Sequence, residues 1–262
     1  MLWPAAAQWA AIVLLVGLAL APLVWLAWQI RRTPLRPIQT LLWWLNYAVA
    51  RSLWRGRVIG RLDIPDRQGA VIVCNHRSSV DPCFIHLATQ RVIHWMVARE
   101  YCGHPAYRWL LRVCEVIPTN RSGVDAAAAK AAIDLVRAGG LVGIFPEGRL
   151  NTTAQPLLPV MPGAVLIALK ARAPIVPCYI EGAPTTDQPW QTLLRSSKVT
   201  LRIGEPIDLS RYHGCHADRQ LLAQLTAEVM RAVLKLGGHE QFVPQVRGAK
   251  ARRLDDELLP GP

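Results

Sequence analysis

Hydrophobic and polar positions fall into three regimes along the chain. The first runs from Met1 to Ile30 and contains no charged side chain. Within it, Trp9 to Trp28 is about 20 residues at ~1.5 Å each, matching the ~30 Å of a bilayer's hydrocarbon core, with Trp at both margins. A transmembrane anchor over residues 1–36 is predicted. The alternative is a cleaved signal, since Ala19-Leu20-Ala21 resembles an A-x-A site. Against it stand an n-region without Lys or Arg, an apolar run that continues past Ala21, and Pro22 at the cleavage position.

The second regime, residues 37–57, mixes Trp43, Trp44, Tyr47 and Trp54 with Arg51 and Arg55. It is too interrupted for a second span and reads as an amphipathic helix, lying in the interface or packed on the core. The third covers residues 58–240, where short apolar runs alternate with helical stretches. Strands are predicted at Ala70–Cys74, His94–Ala98, Val116–Pro118, Leu141–Phe145, Ile175–Ile180 and Val199–Ile203, several continuous enough to be buried on both faces. Helices are predicted at Asp125–Arg137, stopped by Gly139-Gly140, and at Gly163–Ala171 and Arg219–Lys235. That alternation means an α/β fold with a largely parallel sheet flanked by helices, preceded by the membrane helix. In such sheets ligands gather where strands end. Residues 241–262 turn polar and read as a loose tail.

Composition sharpens this picture. At 262 residues the chain has room for one main domain. A formal net charge of +12 favours anionic partners, and ten Trp against three Phe tilt the choice towards a phospholipid membrane. No helix-turn-helix, zinc-finger or RNA-binding aromatic pattern supports nucleic acid. A non-catalytic binder of anionic membranes or nucleic acid is the alternative that charge alone would allow. Arg31, Arg32 and Arg36 follow the first span and no basic residue precedes it, which puts the rest of the chain on the cytoplasmic face. The six cysteines form no C-x-x-C pair, and neither His213/Cys215/His216 nor Cys102/His104 has the spacing of a known metal site, so no metal and no resident cofactor is expected.

The chemistry begins where the strand Ala70–Cys74 empties into Asn75-His76-Arg77-Ser78-Ser79-Val80-Asp81-Pro82. Asp81 before proline suits an N-cap for a helix starting at Pro82, which leaves His76 in a turn. On one helix the two side chains would sit about 140° apart, whereas a turn lets them meet. A carboxylate on one imidazole nitrogen fixes the tautomer and steadies the imidazolium formed when the other removes a hydroxyl proton. Read alone, the spacing is unspecific, and Asp81 can simply cap. Cys74, Ser78 and Ser79 offer nucleophiles, but no G-x-S-x-G elbow surrounds the serines. Two further strand ends change the balance: Phe145-Pro146-Glu147-Gly148-Arg149 exposes a carboxylate and an arginine, and Val116 to Arg121 delivers another arginine. Guanidinium forks suit a phosphate.

Across roughly residues 60–210 the chain resembles the glycerolipid acyltransferases of the lysophosphatidic acid acyltransferase family. Asn75-His76 through Asp81 is similar to that family's N-H-x4-D block, Val116–Arg121 to its second, Phe145-Pro146-Glu147-Gly148 to its F-P-E-G block, and Ile175-Val176-Pro177 to its fourth. The resemblance implies acyl transfer from acyl-CoA or acyl carrier protein to the hydroxyl of a lysophospholipid acceptor, with His76 as base and Asp81 as its partner. It implies a phosphate contact for Arg121 and acceptor-site roles for Glu147 and Gly148; Arg149 joins the candidate site as the arginine exposed at that strand end. One departure stands out: the third block usually continues Gly-Thr-Arg, but Arg149 takes the threonine position and Leu150 the arginine position. That leaves the headgroup open, with another lysolipid or an amino-acid lipid as the alternative acceptor.

Overall fold

The computed structural model describes residues 5–120, 125–185, 189–215 and 218–248. In chain order its elements are α1 (Ala5–Arg32), α2 (Pro37–Ser52), β1 (Arg57–Ile59), β2 (Ala70–Cys74), α3 (Asp81–Ile85), β3 (Ile93–Ala98), α4 (Arg99–Gly103), α5 (Pro105–Val113), β4 (Ile117–Thr119), α6 (Ala126–Arg137), β5 (Leu141–Ile144), α7 (Gly163–Ala171), β6 (Ile175–Glu181), α8 (Pro189–Leu194), β7 (Thr200–Ile203) and α9 (Arg219–Leu236). The strands form one sheet in the order β1-β7-β6-β2-β5-β3-β4. Every neighbouring pair is parallel except β6 with β7. The carboxyl ends of β2 to β6 therefore meet along one edge.

The central strand shows why its sequence is apolar throughout. All five residues of β2 are buried, Val71 and Val73 in a cluster with α6, α7 and α9, and Ala70, Ile72 and Cys74 in a second cluster with Ala50, Phe84 and Ile85 on the opposite face. A strand covered on both sides has no polar positions to alternate with. Helix α6 buries Ala128, Ala132 and Val136 at a four-residue spacing and starts on Asp125, whose side chain accepts from the Ala128 N–H at 3.0 Å. In β5, Gly143 lies under the Trp95 ring, where an added Cβ would come within 2.5 Å of the indole. Any larger residue there would displace a ring that reaches the site described below.

The two N-terminal helices form an antiparallel hairpin. Trp25 of α1 packs 4.7 Å from Trp44 of α2, and the Thr33 and Thr40 hydroxyls pair at 3.0 Å near the junction. Helix α2 turns one face to the domain, where Trp43 Nε1 donates to the His86 and Thr89 carbonyls and Asn46 Nδ2 to the Cys83 carbonyl. Its other face leaves Ile38, Leu41 and Leu45 exposed. Gln39 near its start donates to the Val113 carbonyl, just before β4, while the Leu53 and Trp54 carbonyls at its end accept from the Ser197 and Val199 N–H groups. Thr200, next in chain, pairs with Glu181 at the carboxyl end of β6. Helix α2 thus runs from the amino edge of the sheet to its carboxyl edge. Helix α1 is long and apolar enough to cross a membrane and is unburied along that whole stretch.

Three sequence expectations change. Helix α3 begins at Asp81 itself rather than at Pro82, and Val80 occupies the cap position. Strand β1 and helices α4 and α5 were not expected, because β1 is short and lies at the sheet edge and α4 and α5 bury nothing. The predicted loose tail starts in order: Val160 N donates to the Gln245 carbonyl at 2.8 Å and the Arg247 N–H returns to the Val160 carbonyl at 2.8 Å. Residues 249–262 lie outside the described residues.

Candidate active site

The loop after β2 is fastened before it does anything chemical. Asn75 is fully buried and exchanges two hydrogen bonds with Ile180 of β6, its Nδ2 donating to the carbonyl at 2.9 Å and its Oδ1 accepting from the N–H at 2.8 Å. One residue on, the His76 N–H donates to Glu147 Oε1 at 2.7 Å and the His76 carbonyl accepts from the Asn151 N–H at 2.7 Å. The histidine backbone is thereby clamped between β6 on one side and the loop after β5 on the other.

Its ring is held as firmly. His76 Nδ1 lies 3.0 Å from Asp81 Oδ2, and the same oxygen accepts the Arg77 N–H at 2.7 Å and the Ser78 N–H at 2.8 Å. Asp81 is wholly buried, while the His76 side chain keeps 18% of its surface exposed. A carboxylate only accepts, so Nδ1 is the donor in this contact, and in a neutral ring Nε2 is the nitrogen left with the lone pair. The ring stacks on Phe145 at 3.9 Å and 10°, and Phe145 stacks on Trp95 at 4.7 Å and 12°. Such a column fixes the orientation of the imidazole from the side that the hydrogen bonds leave free. The departure from the expected N-cap is explained here: the Asp81 carboxylate turns back onto the loop in front of it.

Two of the nucleophile alternatives, Cys74 and Ser78, find no place in this arrangement. Burial pushes the Cys74 thiol well above its usual range. Ser78 is buried and its hydroxyl donates to the Pro184 carbonyl.

Glu147 needs a correction. Expected to contact the acceptor, it is fully buried, and its second oxygen accepts the Leu158 N–H at 2.8 Å. Burial raises its pKa, an effect opposed by the two backbone N–H bonds. With both oxygens taken by main chain, it acts as a positioning residue for His76. Gly148 serves the same turn, adopting φ 69°, a conformation that favours glycine, with Met161 Cε within 2.6 Å of any added Cβ. Arg149 and Leu150 then emerge exposed. Arg121 lies outside the described residues.

Two residues escaped the sequence reading. Asn151 is buried and shapes the loop opposite His76, its Oδ1 accepting from the Thr153 N–H at 3.0 Å and its Nδ2 donating to the Gln155 carbonyl at 2.9 Å. The Asn-Thr-Thr triplet was the available signal. Arg99 stands directly beyond β3 on the same edge, its side chain 60% exposed, with Nε donating to Asn120 Oδ1 at 3.1 Å and Nη2 lying 3.8 Å from Asp125 Oδ2. The pattern that singled out Arg121, a cation just past a strand, applied to it equally. Among the described residues no group of three His, Cys, Asp or Glu side chains gathers to hold a metal, and His216 lies outside them.

Comparison with known proteins adds the following. Residues 55–181 match the Acyltransferase family model. The chain is 28% identical over 172 residues to the 1-acyl-sn-glycerol-3-phosphate acyltransferase of Bacillus subtilis, covering 65% of this chain and 83% of that one. It is 33% identical over 134 residues to the protein of that name from Borreliella burgdorferi, covering 48% of this chain and 52% of that one. It spans about half of the Streptococcus pneumoniae relative as well, 53% of its length at 28% identity over 151 residues and 56% of this chain. Among solved structures, the 1-acyl-sn-glycerophosphate acyltransferase of Thermotoga maritima superposes with a TM-score of 0.58 at 22% identity, over 77% of this chain and 80% of that one. That likeness establishes the shared fold.

Proposed function

From the match of residues 55–181 to the Acyltransferase family model, we infer that this chain is an acyltransferase that moves a fatty acyl group from a thioester, acyl-CoA or acyl carrier protein, to the free hydroxyl of a lysophospholipid. The acceptor is 1-acylglycerol-3-phosphate and the product phosphatidic acid, a reading supported by the names of the relatives and by arginines at neighbouring strand ends. The observation that carries it is the 3.0 Å contact between His76 Nδ1 and a buried Asp81.

His76 Nε2 removes the acceptor's hydroxyl proton as the oxygen attacks the thioester carbonyl. Asp81 stabilises the imidazolium that forms, a role worth about 10² to 10⁴ in rate. The tetrahedral intermediate then expels the thiolate, which takes the proton back from His76. A C–O bond forms, a C–S bond breaks, and ester and free thiol leave. Arg99, Arg121 and Arg149 are the cations for the acceptor phosphate, with Gly148 letting the chain turn towards it.

The geometry of α1 supports attachment with this edge against the bilayer. Helix α1 is 28 residues, about 42 Å long. Because α2 lies beside its last turns and ends at the carboxyl edge of the sheet, roughly the first half of α1 projects beyond that edge. The bilayer therefore lies on the His76 side, and Arg31, Arg32 and Arg36 favour the cytoplasmic face.

A second acceptor is favoured by one observation. Leu150 stands where the resemblance calls for arginine, and its side chain is exposed, which suits a headgroup other than a bare phosphate. An acceptor panel decides the matter: the full chain in vesicles receives labelled acyl thioester with lysophosphatidic acid, other lysophospholipids and amino-acid lysolipids. Phosphatidic acid as the dominant product supports the first reading. Preferential acylation of another lysolipid replaces it with the second, and the absence of any thioester-dependent product removes both.

A further inference from the structure

A crossover between parallel strands ordinarily covers the sheet with an apolar face. The β3–β4 crossover departs from that rule, since neither α4 nor α5 contains a buried residue. Instead Trp109 is 57% exposed, Tyr101 44% and Leu110 42%. Arg108 and Arg112 stand one turn apart on α5, and Glu100 is the only acidic residue between Arg99 and Val113. Exposed Trp and Leu flanked by arginines is the chemistry of a helix lying at a lipid–water boundary, where the ring sits among headgroups and the cations meet lipid phosphates.

Position adds a second reason. Helix α4 starts where β3 ends, on the same sheet edge as His76. The far end of α5 is tied to the membrane hairpin: Gln39 Nε2 donates to the Val113 carbonyl at 2.9 Å and to Glu115 at 3.0 Å, and Arg36 lies 3.3 Å from Glu115. The exposed stretch is thus continuous with α2, whose Ile38, Leu41 and Leu45 are also exposed. A single helical anchor leaves a domain free to swing about the anchor's axis, whereas a second contact fixes which edge faces the lipid.

We propose that the α4–α5 hairpin is a second membrane-docking element, with Trp109 and Leu110 inserted at the headgroup level and Arg108 and Arg112 on the phosphates of an anionic phospholipid surface. It stands independently of the catalytic reading. The test uses the full chain in vesicles with and without anionic phospholipid, and takes the fluorescence difference between the natural protein and Trp109→Phe, which isolates one indole. With anionic vesicles that difference signal is expected to be shielded from acrylamide and quenched by lipids brominated high on the acyl chain. Arg108→Gln and Arg112→Gln are each expected to lower the docked-to-undocked ratio about five-fold, the worth of one cation at an anionic surface. Equal acrylamide access in vesicles and in detergent would overturn the proposal. So would shielding that appears in detergent and grows with protein concentration, because a second copy would then be the occupant.

Discussion

The inner and outer halves of the candidate site are built on opposite principles. In the inner half, Asn75, Asp81, Glu147 and Asn151 are all buried and directed at main-chain groups or at His76. In the outer half, Arg99 and Arg149 stand in the open, and among the described residues Arg99 meets a neighbouring amide and a carboxylate at 3.8 Å. Proton transfer rewards a base held to within fractions of an ångström, which a desolvated, hydrogen-bonded loop provides. Headgroup recognition rewards long cationic arms that can follow a lipid arriving from the bilayer. Mutations in the two halves should therefore separate cleanly, the inner ones acting on kcat and folding and the outer ones on KM.

The largest effect falls on the base. His76→Ala is expected to cost about 10² to 10⁴ in kcat at unchanged stability, read from initial rates and an unfolding curve. Asp81→Asn is expected to lose at least about 10² while the loop stays folded, because the amide oxygen can still accept the Arg77 and Ser78 N–H groups and its nitrogen takes the place of Oδ1, which has no hydrogen-bond partner among the described residues. Loss of folding in either variant would blur the division.

Next comes the outer half. Arg99→Gln should raise KM for a phosphate-bearing acceptor about 10- to 100-fold, the range of a hydrogen bond to a charged group, with kcat and unfolding midpoint nearly unchanged. A fall in kcat alone would place Arg99 with the inner group. Glu147→Gln should do the reverse. Its amide nitrogen would face a backbone N–H, destabilising the fold by about 1–3 kcal/mol in chemical denaturation and leaving KM for the acceptor near its natural value.

Smaller still is the ring column. Phe145→Leu removes a stacking partner worth about 0.5–1.5 kcal/mol, and is expected to lower kcat several-fold through a less fixed imidazole. The slightest effect concerns pH. Helix α3, which carries Asp81, is capped by His86, whose pKa is pushed down to about 4 by burial. A base with a depressed folded pKa lends stability that is present above its unfolded value of ~6.5 and lost as pH falls towards about 4. His86→Leu should flatten that acid limb in thermal melts between those values.

Much of this division was legible in the sequence, and unevenly so. The inner strands announced themselves because burial on both faces forbids polar residues, as in Ala70–Cys74. The pairing of His76 with Asp81 was open to the sequence, because a helix starting at Pro82 leaves His76 in a turn where the two side chains can meet. What escaped were features set by tertiary contact alone. Glu147 looks the same in sequence whether it greets a substrate or a backbone amide, and only the approach of Leu158 and His76 decides. Helix α5 is amphipathic, but neither it nor α4 buries a residue against the sheet, so the pattern of the core did not call for them. Arg99 was missed although its strand, predicted to end at Ala98, was in plain view.

The central claim is that an acceptor hydroxyl loses its proton to His76. It is tested most directly by following radiolabelled acyl transfer from thioester to lysophosphatidic acid, with the natural chain and His76→Ala reconstituted side by side in vesicles. Steady production of phosphatidic acid and free thiol by the former, with loss of about 10² or more in the latter at matched folding, is the predicted result. Equal rates from both proteins would contradict it.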